Sequence, residues 1–532
     1  MIKNIKWLFL VSITLIACND DEEITTPVEV PVVAGSADFS KYVALGNSIT
    51  AGFSDNALFK AGQENAFPNL MSKQFALVGG GDFEIPFMND NIGGLLFGGS
   101  FNPRFAPRLV VGGLNPDNTP NIISLANAPF NQLPTTETFA HLTGVYNNMG
   151  VPGAKSFHLL APNYGNPAGL ASTPPTANPY FVRFASNPST SILADAVAQA
   201  PTFFSLWIGN NDVLGYATSG GDGSDPITPV NGNPGVGFDG TYNYLIDNLT
   251  SNGAKGVVAN IPYVTTIPFF KTVPHNPLTS SVLGQGDTQV GDATISALNS
   301  QLYGPIKQAL TGLGHGDRIE LLSTSKANPL LIKDETLTNL TPQLVAIFQA
   351  VPFNMPAQQA ALFAASFGQA RQANSSDLVL LTTRSAISAA PTATDSGLGF
   401  PPPSPLNKFG ITFPLQDKHI LIPSEISEIK TATDSYNLII KTAASNKGLA
   451  FVDANAFMNQ LANGGISFGT FHMTNSFVKG GAFSFDGVHL TPRANAFVAN
   501  KFLEAINSKY GSTFRMYKPE LFSMAYPAIL PN

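Results

Sequence analysis

Three short groups of residues in this chain could do chemistry. The first, Gly46-Asn47-Ser48-Ile49-Thr50, puts a serine directly after an apolar run. If that run is a strand of a parallel sheet, Ser48 stands at the carboxyl edge, where such sheets bind ligands. Gly46 would let the chain turn tightly there. The Gly-x-Ser-x-Gly elbow is absent, because position 50 is threonine. The second group, Gly209-Asn210-Asn211-Asp212, follows another apolar run. An asparagine amide at that edge could donate to an anion. The third, Asp486-Gly487-Val488-His489, holds the one histidine of seven with a carboxylate three residues earlier. That spacing lets the carboxylate reach the imidazole, fix its tautomer and favour the imidazolium, as a base beside a serine requires. Each group alone also has a plain reading: a helix-capping serine, an Asn-Asp turn, a capping aspartate near a chance histidine.

The elements that must position these residues are visible as apolar runs. Residues 42–45, 202–208, 256–261 and 449–452 read as near-continuous apolar strands, ended by Gly46, Gly209, Pro262 and Asp453. Continuous rather than alternating runs indicate strands buried on both faces of a parallel sheet. Helical periodicity covers 426–446, with Ile429, Tyr436 and Ile440 near one face, and 494–510, with Phe497, Phe502 and Ile506. Strands alternating with helices predict an α/β doubly wound sheet. Two stretches, about 79–142 and 265–423, break the alternation and read as insertions. The second has a helical region around 340–372 and a strand-like run at 378–382.

Composition sets the limits. The 532 residues are 44% hydrophobic, ample for a core, and only 12% charged, against ~25% in average soluble domains. Net charge is -7 with no basic stripe, so nucleic acid is not expected as a partner. Residues 1–17 join Lys3 and Lys6 to an apolar run of 11 residues from Trp7 to Ala17, too short for a ~30 Å hydrocarbon core and typical of a signal peptide. Cys18 is the only cysteine, so no intramolecular disulfide can form. It follows Leu15-Ile16-Ala17, which resembles a bacterial lipobox, and lipidation at Cys18 would give a membrane anchor. Residues 18–37 form an acidic, then Pro- and Thr-rich linker. An outer-membrane, lipid-anchored location is expected; the acidic run after Cys18 resembles surface-export signals of some outer-membrane lipoproteins, the alternative being a plain solvated spacer.

Taken together, the three groups resemble the SGNH hydrolases, or GDSL esterases and lipases. Gly46-Asn47-Ser48-Ile49 is similar to the family's first block, Gly209-x-Asn211-Asp212 to its third and Asp486-x-x-His489 to its fifth. The second block is matched by Asn148-Met149-Gly150-Val151-Pro152-Gly153-Ala154, with Gly153 the better match and Gly150 its competitor. The resemblance implies a three-layer α/β/α flavodoxin-like sandwich over residues 38–511, with the two insertions inside it and 512–532 as a C-terminal extension. It implies Ser48 as nucleophile, His489 as base and then acid, and Asp486 as the group orienting His489. It also implies an oxyanion hole from the N–H groups of Ser48 and Gly153 and the Asn211 amide, with neither metal nor organic cofactor required. Asn47 stands where the family usually has aspartate, and the gap from Ser48 to Gly153 is long. The expected substrate is a carboxylic ester, of a lipid or an acylated glycan. The alternatives are a carbohydrate O-deacetylase on the same fold and a non-catalytic surface lipoprotein that binds glycan or lipid. Phe83, Phe87, Phe97, Phe101 and Phe105 in the first insertion, and Phe348, Phe353, Phe363 and Phe367 in the second, raise the idea of an aromatic acyl pocket or lid. The plainer reading is that insertions need cores of their own.

Overall fold

The computed structural model describes residues 31–115 and 119–531. Residues 1–17, expected to be a signal peptide, and Cys18 with most of the expected linker therefore lie outside the described residues.

Five parallel strands form one sheet: β1 (Tyr42–Gly46), β2 (Asn148–Gly150), β3 (Phe203–Trp207), β4 (Lys255–Ala259) and β5 (Ala450–Val452). Their order across the sheet is β5-β4-β3-β1-β2. Register pairs Gly46 with Trp207 on one side and with Gly150 on the other. This brings the ends of β1, β2 and β3 level along one edge. Every residue of β1 and β3 is buried, as their unbroken apolar runs require. Four strands fall where the sequence places them, within two residues. The three-residue edge strand β2 was not anticipated: with Met149 its only large apolar residue, it leaves no periodic signal.

Helices flank the sheet. In chain order the relevant ones are α1 (Ser48–Ala51), α2 (Phe67–Phe75), α3 (Ile192–Ala198), α4 (Asn211–Thr218), α5 (Phe238–Thr250), α6 (Pro423–Asn446), α7 (Ala454–Asn463) and α8 (Pro492–Tyr510). Alternation along β3 decides what each face meets. Phe203 and Trp207 point the same way and reach α2 and α8, with ring centroids 5.6 Å from Phe75, 5.9 Å from Tyr510 and 5.8 Å from Phe502. Elsewhere in the same core Phe238 of α5 stacks on Tyr436 of α6 at 4.1 Å. Each such buried side chain contributes about 1.5–3 kcal/mol relative to exposure.

Residues 273–422 gather most of their buried side chains into a second core. Phe348, Phe363 and Phe367 are fully committed to it and Phe353 packs against it, so these four aromatics build that core and no lid over Ser48. The helical region expected around 340–372 is two helices, Thr341–Gln349 and Ala357–Phe367, separated by a segment containing Pro352 and Pro356. The strand-like run at 378–382 shortens to Leu378–Val379 and turns into a 3₁₀ helix, Leu381–Ser385. The C-terminal extension is packed onto the domain. Tyr517 donates to the Leu70 carbonyl at 2.7 Å, and the buried Arg108 guanidinium donates to the carbonyls of Pro527 and Ala528 at 2.7 and 2.9 Å.

Candidate active site

Ser48 sits where β1 ends and α1 begins. A side chain at Gly46 would collide with the Trp207 carbonyl oxygen, 2.6 Å from the Cβ position, so the tight approach of β1 to β3 requires glycine there. Asn47 caps α1 by accepting from the Ile49 N–H at 3.2 Å. It shapes the turn that presents Ser48. As the first residue of α1, Ser48 has a backbone N–H with no intrahelical acceptor.

The turn 484–490 brings His489 to the serine. Its ends are joined by a Ser484 N–H bond to the His489 carbonyl at 2.8 Å, and Gly487 takes φ +73°, the left-handed geometry glycine allows. Within it, His489 Nδ1 lies 2.8 Å from Asp486 Oδ2, and His489 Nε2 lies 2.9 Å from Ser48 Oγ. A proton on Nδ1 donated to the carboxylate leaves Nε2 to accept from the serine hydroxyl. Asp486 is buried, which would raise its pKa. The charge of His489 and the hydrogen bonds from His489 and Val488 outweigh burial and hold the carboxyl well below its ordinary range. Asp486 therefore stays an anion next to the imidazole.

The second group and the Gly150–Ala154 segment after β2 meet beside this chain. Val151 N–H bonds to the Gly46 carbonyl at 3.1 Å, which lays the β2 exit against the Ser48 turn. Asn211, first residue of α4, donates its side-chain amide to the Ala154 carbonyl at 2.9 Å. Asp212 accepts from the Ser156 N–H at 2.8 Å and the Ser156 hydroxyl at 2.6 Å. Burial pushes Asp212 up to about 6, with the Ser156 bonds opposing. Asn178 holds the same loop through the Pro152 carbonyl at 2.8 Å. The two candidate glycines differ. Gly150 gives its N–H to Asn148 Oδ1 at 3.0 Å, and a Cβ there would fall 2.4 Å from the Ala51 nitrogen. Gly153 has φ +81°, open space around its Cβ position, and no hydrogen bond from its N–H among the described residues. Its N–H is free to donate, as an oxyanion site needs.

Several residues at the site carry no sequence signal. Ser54, Asp55, Asn56 and Ala57 make a two-residue turn that grips the Asp486 loop from behind. Asn56 N–H donates to Asp486 Oδ2 at 2.8 Å, Asp55 N–H to the Ser484 hydroxyl at 3.0 Å, and that hydroxyl to Asp486 Oδ1 at 3.0 Å. Phe53 packs its ring 4.7 Å from that of His489. Phe105 meets Tyr180 (6.1 Å), which in turn meets Phe53 (6.4 Å), so part of the first aromatic group packs towards the histidine flank. Phe83 instead stacks on Tyr42 at 5.0 Å.

On the other flank of Ser48 and His489 a cavity of about 70 Å³ is walled by apolar side chains, among them Leu214, Val264, Ile267, Phe457 and Leu490. Among the described residues there is no group of three or more His, Cys, Asp or Glu side chains able to hold a metal ion. No helix among them is long and apolar enough to cross a membrane. No family model, curated protein or solved structure matches this chain. The arrangement can activate a serine hydroxyl for attack on a carbonyl and offer N–H donors to the resulting oxyanion.

Proposed function

We propose that this protein is a serine hydrolase acting on carboxylic esters, and specifically an esterase of the SGNH type. The observation that carries the reading is the hydrogen-bonded series Ser48 Oγ, His489 Nε2, His489 Nδ1, Asp486 Oδ2 at 2.9 and 2.8 Å, assembled from residues 441 positions apart. The order β5-β4-β3-β1-β2, which is the flavodoxin-like arrangement with its ligand edge at the β1/β3 switch point, supports the same fold assignment. In it residues 79–142 and 265–423 are insertions.

In this mechanism Ser48 Oγ attacks the ester carbonyl carbon while His489 Nε2 takes the serine proton. The carbonyl oxygen becomes an oxyanion, held by the N–H groups of Ser48 and Gly153 and the second amide hydrogen of Asn211. When the intermediate collapses, the C–O bond to the alcohol breaks, and His489 gives its proton to the departing oxygen. A water deprotonated by His489 then attacks the acyl-serine, releasing the carboxylic acid and restoring Ser48. Asp486 holds the tautomer and stabilises the imidazolium throughout.

A fluorophosphonate probe tests the reading. Covalent labelling and p-nitrophenyl butyrate hydrolysis in the wild type, both lost in Ser48→Ala, are the expected result. Equal hydrolysis in the two proteins would refute it and favour a binding protein that keeps the fold alone. The same proposal places the enzyme at the outer membrane through a lipid on Cys18, since residues 1–18 resemble a lipoprotein signal.

A further inference from the structure

The esterase reading leaves open which acyl group Ser48 receives, and the cavity beside it bears on that question. We infer that the hollow between α4, the segment after β4 and α7 is the acyl site, and that it takes an unbranched apolar acyl chain of short to medium length. This inference rests on the esterase reading. Three features carry it: position, chemistry and size.

Position comes first. The cavity is lined by Ser48, His489 and Asn211 themselves, so a chain in it is continuous with a carbonyl carbon at Ser48 Oγ. Leu214 stands one helical turn beyond Asn211 and shares its face of α4. Val264 and Ile267 come from the segment after β4, Phe457 and Met458 from α7. Val264, Ile267 and Met458 are buried. The acyl half of the substrate remains bonded to Ser48 through the second half-reaction, whereas the alcohol must leave and water must enter. A pocket with a buried wall suits the half that stays.

The chemistry of the wall is equally directional. Apart from Ser48, His489 and the asparagines Asn47, Asn210 and Asn211, the lining residues are apolar, and no Asp, Glu, Lys or Arg belongs to it. A polar acyl substituent would lose its water there without replacement. Each methylene placed against this wall contributes a factor of about four in binding.

Size sets the limit. At roughly 10–15 Å³ for each water-sized atom, about 70 Å³ admits about five to seven atoms. Seating the ester group at the mouth uses about two of them, which leaves room for chains from butyryl to about hexanoyl. A palmitoyl chain needs several times the volume, and an acetyl group leaves most of the wall uncovered. Two larger hollows, of about 630 and 780 Å³, have neither Ser48 nor His489 in their walls and cannot serve this carbon chain.

The test is a p-nitrophenyl ester series of acetate, butyrate, hexanoate and laurate, with active enzyme counted by fluorophosphonate titration. The wild type is expected to peak in kcat/KM at butyrate or hexanoate, about 10- to 100-fold above acetate and laurate. Leu214→Phe, which fills the cavity from a half-buried position, should shift the optimum to acetate. Phe457→Ala, also half-buried, should raise the relative rate on laurate. If Ser48 is titrated but the profile is flat, or peaks at acetate or laurate, the pocket assignment is overturned while the esterase reading stands. An unchanged profile in both variants overturns it as well. Absence of both titration and turnover would overturn the esterase reading, and this inference with it.

Discussion

Replacing Asp55 by asparagine should make the protein more stable in alkali than in acid, relative to the wild type. Asp55 is almost wholly buried in the turn that grips the Asp486 loop. Its Oδ1 accepts from the Phe485 N–H at 3.0 Å, and its Oδ2 has no hydrogen-bond partner among the described residues. Burial pushes its pKa up from 3.8 to about 7. The nearby Asp486 carboxylate adds to the rise, while the Phe485 bond and Arg108 oppose it. A raised carboxyl pKa means that the folded state binds the proton more tightly than the unfolded chain does. The stability it confers is full below the unfolded pKa near 4 and is lost as pH climbs to about 7. At roughly 1.4 kcal/mol for each pH unit, the whole loss is about 4 kcal/mol. Asparagine keeps the Oδ1 acceptor and removes the titration, but buries an amide that lacks a partner at a cost of about 1–3 kcal/mol. That cost is the same at every pH, so it cancels when two pH values are compared. Urea unfolding at pH 5 and pH 8 should therefore show Asp55→Asn gaining about 3 kcal/mol on the wild type between the two. Equal differences at both pH values would mean Asp55 is charged throughout, and the account of the turn would fail, as it would if the variant lost ground at pH 8.

If the proposed mechanism holds, Asn211→Ala should lower kcat about 10²–10³-fold on p-nitrophenyl butyrate with little change in KM, because there its amide meets the oxyanion rather than the ground state. The two glycines should fail differently. In Gly150→Ala the new Cβ meets the Ala51 backbone, so thermal unfolding should fall by several degrees. In Gly153→Ala the side chain has room but φ +81° costs about 1–2 kcal/mol, and the displaced N–H should lower kcat more than stability. Cys18→Ser should move the protein from the detergent phase to the aqueous phase on Triton X-114 partitioning, if the cysteine carries the lipid.

Part of this architecture is written locally. β1, β3, β4 and β5 lie buried within one sheet, so each must be a short apolar run, and a glycine, proline or aspartate closes each run. Asp486 and His489 were legible as a pair because a three-residue spacing within one turn is a local geometry. Ser48 and Asn211 were legible from their places just past strands. The edge strand β2 was not, since three residues cannot show a period, and the motif match favoured Gly153 but left Gly150 as its competitor. That distinction depends on whether an N–H is already bonded and what a Cβ would strike, both properties of the packed chain.

The sequence by itself determined the apolar runs, the composition and the types of reactive side chain, because these follow from residue chemistry and near-neighbour spacing. Only the tertiary structure decided what those side chains touch. Asp55 and Asn56 meet a loop about 430 residues away, Asp212 clamps Ser156 in the segment after β2, and the aromatics of residues 348–367 turn into a second core. Such contacts depend on which elements the sheet order places side by side, and that order minimises the free energy of the whole chain, so no window of the sequence contains it.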